Sequence, residues 1–305
     1  MKIIIVGQGK MGLQITQQVI EGGNEVVAMD PNPDNQERAT SKGATVVGTR
    51  SAAIAEFQSS EQQPLVWLMV PSSVVDAEFN AWLNVLPEGS IIVDGGNSDF
   101  RLTKQRGESA MSKSIHLVDV GVSGGVLGLV NGFSMMVGGK EEAFKTIEPI
   151  LQCMAKASGG YAYFGPEYGA GHFIKMTHNA IEYGVMESLA EGYQLINDGP
   201  YKNLDLAAIG DVWQRGSVIE SELNALAAKA LRENPKLDGV DGYVAESGEA
   251  RWSLEASKDA GVNMPAVQAS FDVRVASQNG QVNFATKLLA ELRNQFGGHN
   301  INKES

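Results

Sequence analysis

"KIIIVGQGKMG", residues 2–12, decides how the chain begins to fold. Lys2 to Val6 is a short β-branched run that stops at glycine, the pattern of a strand buried on both faces. A helical pattern follows, with Met11, Ile15 and Val19 on one side and a stop at Gly22-Gly23. A second apolar run, "EVVAMD", closes on Asp30. Strand, G-x-G-x-x-G turn, helix and acid-terminated strand together make a βαβ unit able to hold a dinucleotide.

Each part has a physical task. Gly7, Gly9 and Gly12 allow a tight turn, close backbone approach to a pyrophosphate, and packing of helix on strand, while the helix N-terminus offers N–H groups to the phosphates. The cofactor cradle is therefore read as Gly7, Gln8, Gly9, Lys10, Met11 and Gly12, with Asp30 accepting from the ribose hydroxyls. A carboxylate there repels a 2′-phosphate, and "PNPDN" just after it contains no Arg, so NAD is expected in preference to NADP. Arg38 and Arg50 could still reach back.

The alternation continues with "ATVV" from Ala44, a helix over 52–57, "PLVWLMVP" from Pro64, a helix over 77–83, and "SIIVDGGNS" from Ser90. "HLVDVGVSGG" from His116, "GFSMMVGG" from Gly132, a helix over 143–154 and "YAYFG" follow. Strand and helix in turn predict a doubly wound parallel sheet with ligands at the strand C-terminal ends. Val70, Asn97 and the "VSGG" turn (Ser123, Gly124, Gly125) fall there. Asn97 can bridge nicotinamide or substrate hydroxyls, or merely hold its turn; the glycines can cradle carboxylate oxygens, or merely turn the chain.

"PEYGAG" (166–171) reads as a hinge, beyond which the pattern is helical over 172–197, 205–232 with breaks, 247–260, 265–277 and 281–296. The expected architecture is an α/β Rossmann-type doubly wound sheet over 1–166, then an all-α substrate and oligomerisation domain over 167–305. With 305 residues, 43% hydrophobic and 20% charged, there is room for two cores. A net charge of −12 with no run of Lys and Arg lacks the footprint of a nucleic-acid or anionic-membrane binder. Cys153 is the single cysteine, so no intrachain disulfide forms. No 18-residue apolar run occurs and "MKIIIV" is too short for a signal peptide, so a soluble, cytoplasmic protein is expected.

In "GHFIKMTHNAIEY" (171–183), Lys175, His178, Asn179 and Glu182 are spaced i, i+3, i+4 and i+7. On a wheel His178, Asn179 and Glu182 fall within about 60° of Lys175, together with Met186, Leu189 and Tyr193, whereas Glu187, Glu191 and Gln194 lie roughly 100° to 160° away. The polar patch therefore shares a face that is apolar further along, and the later charges are expected on a different, wetter side. Partial burial of an ammonium lowers its pKa, and a carboxyl two turns on, about 10 Å along the axis, can return a proton. Metal catalysis has no support: His116, His172, His178 and His299 show no ligand spacing. No G-x-S-x-G elbow is present for a serine hydrolase.

"GQGKMG", "DGGNSD", "VSGG", "GHFIKMTHNAIEYG" and "RNQFGGH", in that order from residue 7 to 299, resemble 6-phosphogluconate dehydrogenase, the decarboxylating enzyme of the pentose phosphate pathway. The resemblance implies that Lys175 takes the C3 hydroxyl proton of 6-phosphogluconate and that Glu182 later protonates C1. It assigns Asn97, Ser123, Gly124, Gly125, His178 and Asn179 to the carboxylate and hydroxyls. Tyr183, Arg274, Arg293 and His299 go to the phosphate, and a homodimer or homotetramer is implied. The chain is much shorter than the common form of the family. "SGEARW" stands where the long form has a lysine-rich run, keeping only Arg251 as a cation, and the long form takes its equivalents of Arg293 and His299 from the partner subunit. Another β-hydroxyacid dehydrogenase, such as 3-hydroxyisobutyrate dehydrogenase, or a non-catalytic NAD sensor are the competing readings.

Overall fold

The computed structural model describes residues 1–58, 61–156 and 158–298. They fall into two compact units, Met1–Met176 and a second starting at Thr177.

In chain order the first unit runs β1 (Lys2–Val6), α1 (Lys10–Glu21), β2 (Glu25–Met29), α2 (Pro33–Ser41), β3 (Thr45–Val46), α3 (Arg50–Ala55), β4 (Leu65–Leu68), α4 (Val75–Leu83) and β5 (Ile91–Asp94). There follow α5 (Phe100–Met111), β6 (His116–Ser123), the short α6 (Gly128–Asn131), β7 (Ser134–Gly139), α7 (Glu141–Ala155) and β8 (Gly160–Tyr163). The eight strands form one sheet, ordered β3-β2-β1-β4-β5-β6-β7-β8. The reversal beside β1 is the switch point at which doubly wound sheets bind ligands.

Side-chain alternation divides the core. Ile3 and Ile5 of β1 pack with Ile15, Val19 and Ile147 on one face of the sheet, while Ile4 and Val6 pack with Phe79, Trp82 and Ala110 on the other. Both faces are covered, which is why β1 reads as an unbroken apolar run and not as an alternating one. Burying each isoleucine contributes about 1.5–3 kcal/mol before chain entropy is counted.

Two details depart from the sequence reading. β7 runs antiparallel to β6, although every other pairing is parallel. The connection between them is too short for the crossover that a parallel pair requires, and Gly124, Gly125 and Gly132, all at positive φ, turn the chain straight back. Helices α2 and α5 were not expected. Both are polar along most of their length, so their apolar periodicity is weak; side-chain caps start them instead, Asn32 accepting from the Asp34 amide and Asp99 from the Arg101 amide.

Helix α8 (Ala170–Asp198) supplies the last residues of the first unit and the first of the second. The rest of the second unit is α9 (Leu206–Trp213), α10 (Glu222–Glu233), α11 (Glu249–Asp259), α12 (Pro265–Gln278) and α13 (Phe284–Gly297). Its core joins Met186, Ala190 and Tyr193 of α8 to Leu226 and Leu231 of α10 and to Leu288, Leu289 and Leu292 of α13. Among the described residues no helix is long and apolar enough to cross a membrane.

Candidate active site

The three glycines after β1 have different surroundings. A Cβ on Gly7, at φ +91°, would lie 2.4 Å from the Met69 carbonyl oxygen, and one on Gly12 would lie 1.9 Å from that of Gly7. Around Gly9, the N-cap of α1, nothing lies within 4 Å of that position. Two glycines thus close the turn and seat the helix, while the middle one leaves open space at a helix N-terminus, which suits a pyrophosphate. Lys10 and Met11 open α1 at this end. The Gln8 side chain is turned inward, donating to the Ile5 carbonyl and accepting from Thr16 Oγ1, so only its backbone faces the turn chemistry.

Asp30 is held at the end of β2 by two backbone amides, Gln8 N at 2.6 Å on one oxygen and Asn32 N at 2.8 Å on the other. Each carboxylate oxygen keeps a lone pair for a hydroxyl donor. Arg50 donates to Glu78 at 2.7 Å and lies over the Trp82 ring, so its charge is engaged away from Asp30.

Val70 follows β4 beside Gly7, and Asn97 is exposed on the turn after β5. That turn is fixed by Asp94, which accepts from the Gly96 amide and Ser98 Oγ and is paired with Arg106 at 3.1 Å. The turn-holding role considered for Asn97 belongs to Asp94 and Ser98. Ser123 ends β6, with Gly124 and Gly125 directly after it.

Lys175 is 6% exposed. Its stem lies on Gly121 of β6, where an added Cβ would come within 2.2 Å of Lys175 Cβ. The start of α8 is fixed by groups that sequence reading missed. Asp119, fully buried on β6, accepts from the Gly169 amide at 2.8 Å and the His172 amide at 2.9 Å, capping the helix from a neighbouring strand. His172 Nε2 donates to the Asp94 carbonyl at 3.1 Å, and its Nδ1 meets Thr103 Oγ1 at 2.8 Å. The only signal was an acid inside the apolar run "LVDV".

In the second unit the amide of Asn179 is oriented by the Glu249 carboxylate, which accepts from Nδ2 at 3.0 Å. Its Oδ1 therefore faces His178 Nδ1, also at 3.0 Å. Glu182 Oε2 lies 4.0 Å from the same ring nitrogen. Further along α8 the Tyr183 ring carries the Arg274 guanidinium 3.2 Å above its centre. Arg274 is 1% exposed; among the described residues its Nε and Nη1 have no hydrogen-bond partner, and Nη2 has only the Met186 sulfur, at 3.8 Å. Burial pulls its pKa down to about 10, an effect that Tyr183, Glu182 and Glu187 oppose and Arg293, itself buried on α13, reinforces. Two buried guanidiniums that repel each other, one of them short of acceptors, are an arrangement that an anion could satisfy.

The expected packed face of α8 is present in part: Lys175, Asn179, Met186, Leu189 and Tyr193 are buried, but His178 and Glu182 are half-buried, with side chains 40% and 22% exposed. Glu187, assigned to the wetter side, is buried as well, whereas Glu191 is exposed. Arg251 is paired with Glu246 and lies over Phe271. His299 lies outside the described residues. Among those described, no group of three His, Cys, Asp or Glu could hold a metal ion.

Residues 2–165 match the NAD binding domain of 6-phosphogluconate dehydrogenase, and residues 171–304 match its C-terminal domain. The chain belongs to the 6-phosphogluconate dehydrogenase family. It is 36% identical over 305 residues to the Bacillus subtilis protein YqeC, provisionally named a 6-phosphogluconate dehydrogenase, with all of both chains covered. It is 32% identical over 303 residues to the NAD(+)-dependent, decarboxylating 6-phosphogluconate dehydrogenase of Haloferax volcanii, covering 99% of this chain and 98% of that one. The solved Plasmodium falciparum 6-phosphogluconate dehydrogenase superposes with a TM-score of 0.80 at 25% identity, over 92% of this chain but 62% of the longer one. A 3-hydroxyisobutyrate dehydrogenase from Salmonella typhimurium shares the fold alone, with a TM-score of 0.77 at 16% identity over 94% and 98% of the chains. This 6-phosphogluconate dehydrogenase family member is thus an oxidoreductase with a nicotinamide-cofactor domain, of the same length as its short relatives.

Proposed function

We propose that the protein oxidises and decarboxylates 6-phosphogluconate to ribulose 5-phosphate and carbon dioxide, using NAD, as a homo-oligomer. The observation that carries this reading is the buried Arg274 on Tyr183, short of acceptors. A phosphorylated sugar acid supplies the missing anion, whereas 3-hydroxyisobutyrate has no phosphate to offer.

NAD, when bound, supplies the hydride acceptor. Lys175 takes the proton from the C3 hydroxyl as that carbon is oxidised. The product is a β-keto acid, whose carbonyl accepts the electrons released as carbon dioxide leaves, so no metal is needed. Protonated Lys175 donates to that carbonyl, and Glu182 then gives a proton to C1. Asn97, Ser123, Gly124, Gly125, His178 and Asn179 hold the carboxylate and hydroxyls, and Tyr183, Arg274, Arg293 and His299 the phosphate. The cofactor residues are Gly7, Gln8, Gly9, Lys10, Met11, Gly12, Asp30, Val70 and Asn97. The choice of NAD is supported by Asp30 and by the engagement of Arg50 with Glu78.

A steady-state assay with 6-phosphogluconate, trapping released carbon dioxide, tests this. One carbon dioxide per reduced nicotinamide is expected, with kcat/KM at least about tenfold higher for NAD than NADP, equivalent to ~1.4 kcal/mol. Replacing Asp30 with alanine should narrow that ratio by removing the repulsion of the 2′-phosphate. Reduction with 3-hydroxyisobutyrate but not with 6-phosphogluconate would overturn the assignment.

A further inference from the structure

In the "SGEARW" segment (247–252) the residue bonded to α8 is Glu249, while Arg251 is paired with Glu246. Glu249 opens α11 after Gly248, whose φ of +101° and nearness to the Trp252 ring, 2.7 Å from an added Cβ, leave no room for a side chain. This turn meets α8 at two points one helical turn apart. The Tyr183 hydroxyl lies 3.4 Å from Ser247 Oγ, and Asn179 Nδ2 donates to Glu249 Oε1 at 3.0 Å. Glu249 is 2% exposed, and its Oε2 is buried with no hydrogen-bond partner among the described residues. An acid in a first turn favours the helix dipole from an exposed position as well. Burying one with an oxygen unpaired is destabilising, so a stabilising role does not account for it.

We infer that Glu249 is a positioning residue, which fixes the tautomer of His178 through the amide of Asn179. The inference rests on the proposed place of His178 and Asn179 at the substrate. A carboxylate oxygen accepts, so the NH2 end of the Asn179 amide is turned to Glu249 and the carbonyl end to His178. Asn179 Oδ1, 3.0 Å from His178 Nδ1, is itself only an acceptor, so Nδ1 carries the ring proton. Glu182 Oε2, 4.0 Å from the same nitrogen, is beyond hydrogen-bond reach and favours a proton there by charge alone. In the neutral ring Nε2 is then the acceptor.

This divides a task that the proposed mechanism gives to two residues together. The neutral His178 ring, with its lone pair at Nε2, suits a substrate hydroxyl and not a carboxylate. Asn179, through Nδ2, is the donor of the two. Removing the carboxylate of Glu249 removes the acceptor that selects this amide orientation, and with it the bias toward one tautomer.

Two-bond proton–nitrogen NMR of the full-length protein carrying nitrogen-15 histidine reads the tautomer directly, His178 being assigned by the signal missing in His178→Asn. At about pH 9, well above the usual histidine pKa of about 6.5, the wild type should show Nδ1 protonated and Nε2 unprotonated. Glu249→Met, which keeps the side-chain length and removes the acceptor, should give a mixture of tautomers. Glu249→Gln, whose carbonyl oxygen can still accept from Asn179, should keep the wild-type form. In steady-state assays with 6-phosphogluconate, kcat/KM should fall about tenfold or more in Glu249→Met and less than about threefold in Glu249→Gln, the difference made by one buried hydrogen bond. A wild-type ring protonated on Nε2, an unchanged tautomer in Glu249→Met, or methionine and glutamine variants of equal activity would overturn the inference. Should Glu249→Met fail to fold, Asn179→Leu removes the acceptor at Nδ1 instead, and Nδ1 protonation retained there overturns it too. A wild type that shows the expected tautomer without turning over 6-phosphogluconate removes the proposed function and leaves the Glu249–Asn179–His178 arrangement standing.

Discussion

Substituting Lys175 with methionine should lower kcat for 6-phosphogluconate by roughly 10²- to 10⁴-fold, the range for loss of a positioned general base, while the Kd for NAD changes little. Methionine is the informative choice because it keeps the unbranched stem that lies on Gly121 and removes only the amine. The site is buried, so an apolar end of the same length can be accommodated there, and the fold should be retained. The cofactor cradle at Gly7, Gly9 and Gly12 and the acid at Asp30 lie on the β1–β2 unit and do not depend on the amine. Steady-state kinetics with an independent NAD titration distinguish the outcomes. Activity within tenfold of wild type would remove Lys175 from the chemistry; loss of NAD binding together with activity would mark it as structural.

What the sequence disclosed follows from where each signal is encoded. β1, β4 and β5 were visible because strands covered on both faces must be apolar throughout. The cofactor turn was visible because close approach at Gly7 and Gly12 leaves no room for any other residue. Asp119 and His172 were not, because their importance lies in partners distant along the chain: Asp119 is 50 residues from the Gly169 amide and 53 from that of His172. An acid within an apolar strand announces that a partner exists without naming it. Glu187 shows the limit of a helical wheel, which gives the angle of a side chain but not the element that will cover it. That side of α8 reads as wet, yet Glu187 on it is 6% exposed. The same holds for Arg274, which only the family resemblance singles out in the sequence and whose burial on Tyr183 is a property of the packed helices.

Replacing Arg274 with methionine should impair phosphate recognition and raise thermal stability in the same variant. On the functional side, losing charge-assisted hydrogen bonds to a phosphate is expected to raise the KM for 6-phosphogluconate by about 100-fold or more, corresponding to ~3 kcal/mol. On the stability side, the wild type maintains a guanidinium that is 1% exposed with two unpaired nitrogens. An apolar side chain of similar length keeps the contacts with Tyr183 and Met186 and removes the desolvated charge, a change worth about 1–3 kcal/mol in comparable buried sites. The pKa of Arg274 is depressed to about 10, so its penalty is fully in force everywhere below that and is constant between pH 6 and 8.5. Glu187, raised to about 7, behaves oppositely: its neutral form is the stable one, and stability falls as pH rises through 7. With Arg274 gone, ionised Glu187 loses its cation, so the gain from Arg274→Met should be largest at pH 6 and shrink or reverse at pH 8.5. Calorimetric melting at the two pH values, beside the KM measurement, checks both halves. A variant destabilised at pH 6 would show that the guanidinium is held by the fold and not kept for a ligand. Stability gained at pH 6 with recognition lost is the result expected if the unsatisfied guanidinium nitrogens serve a ligand at the cost of stability.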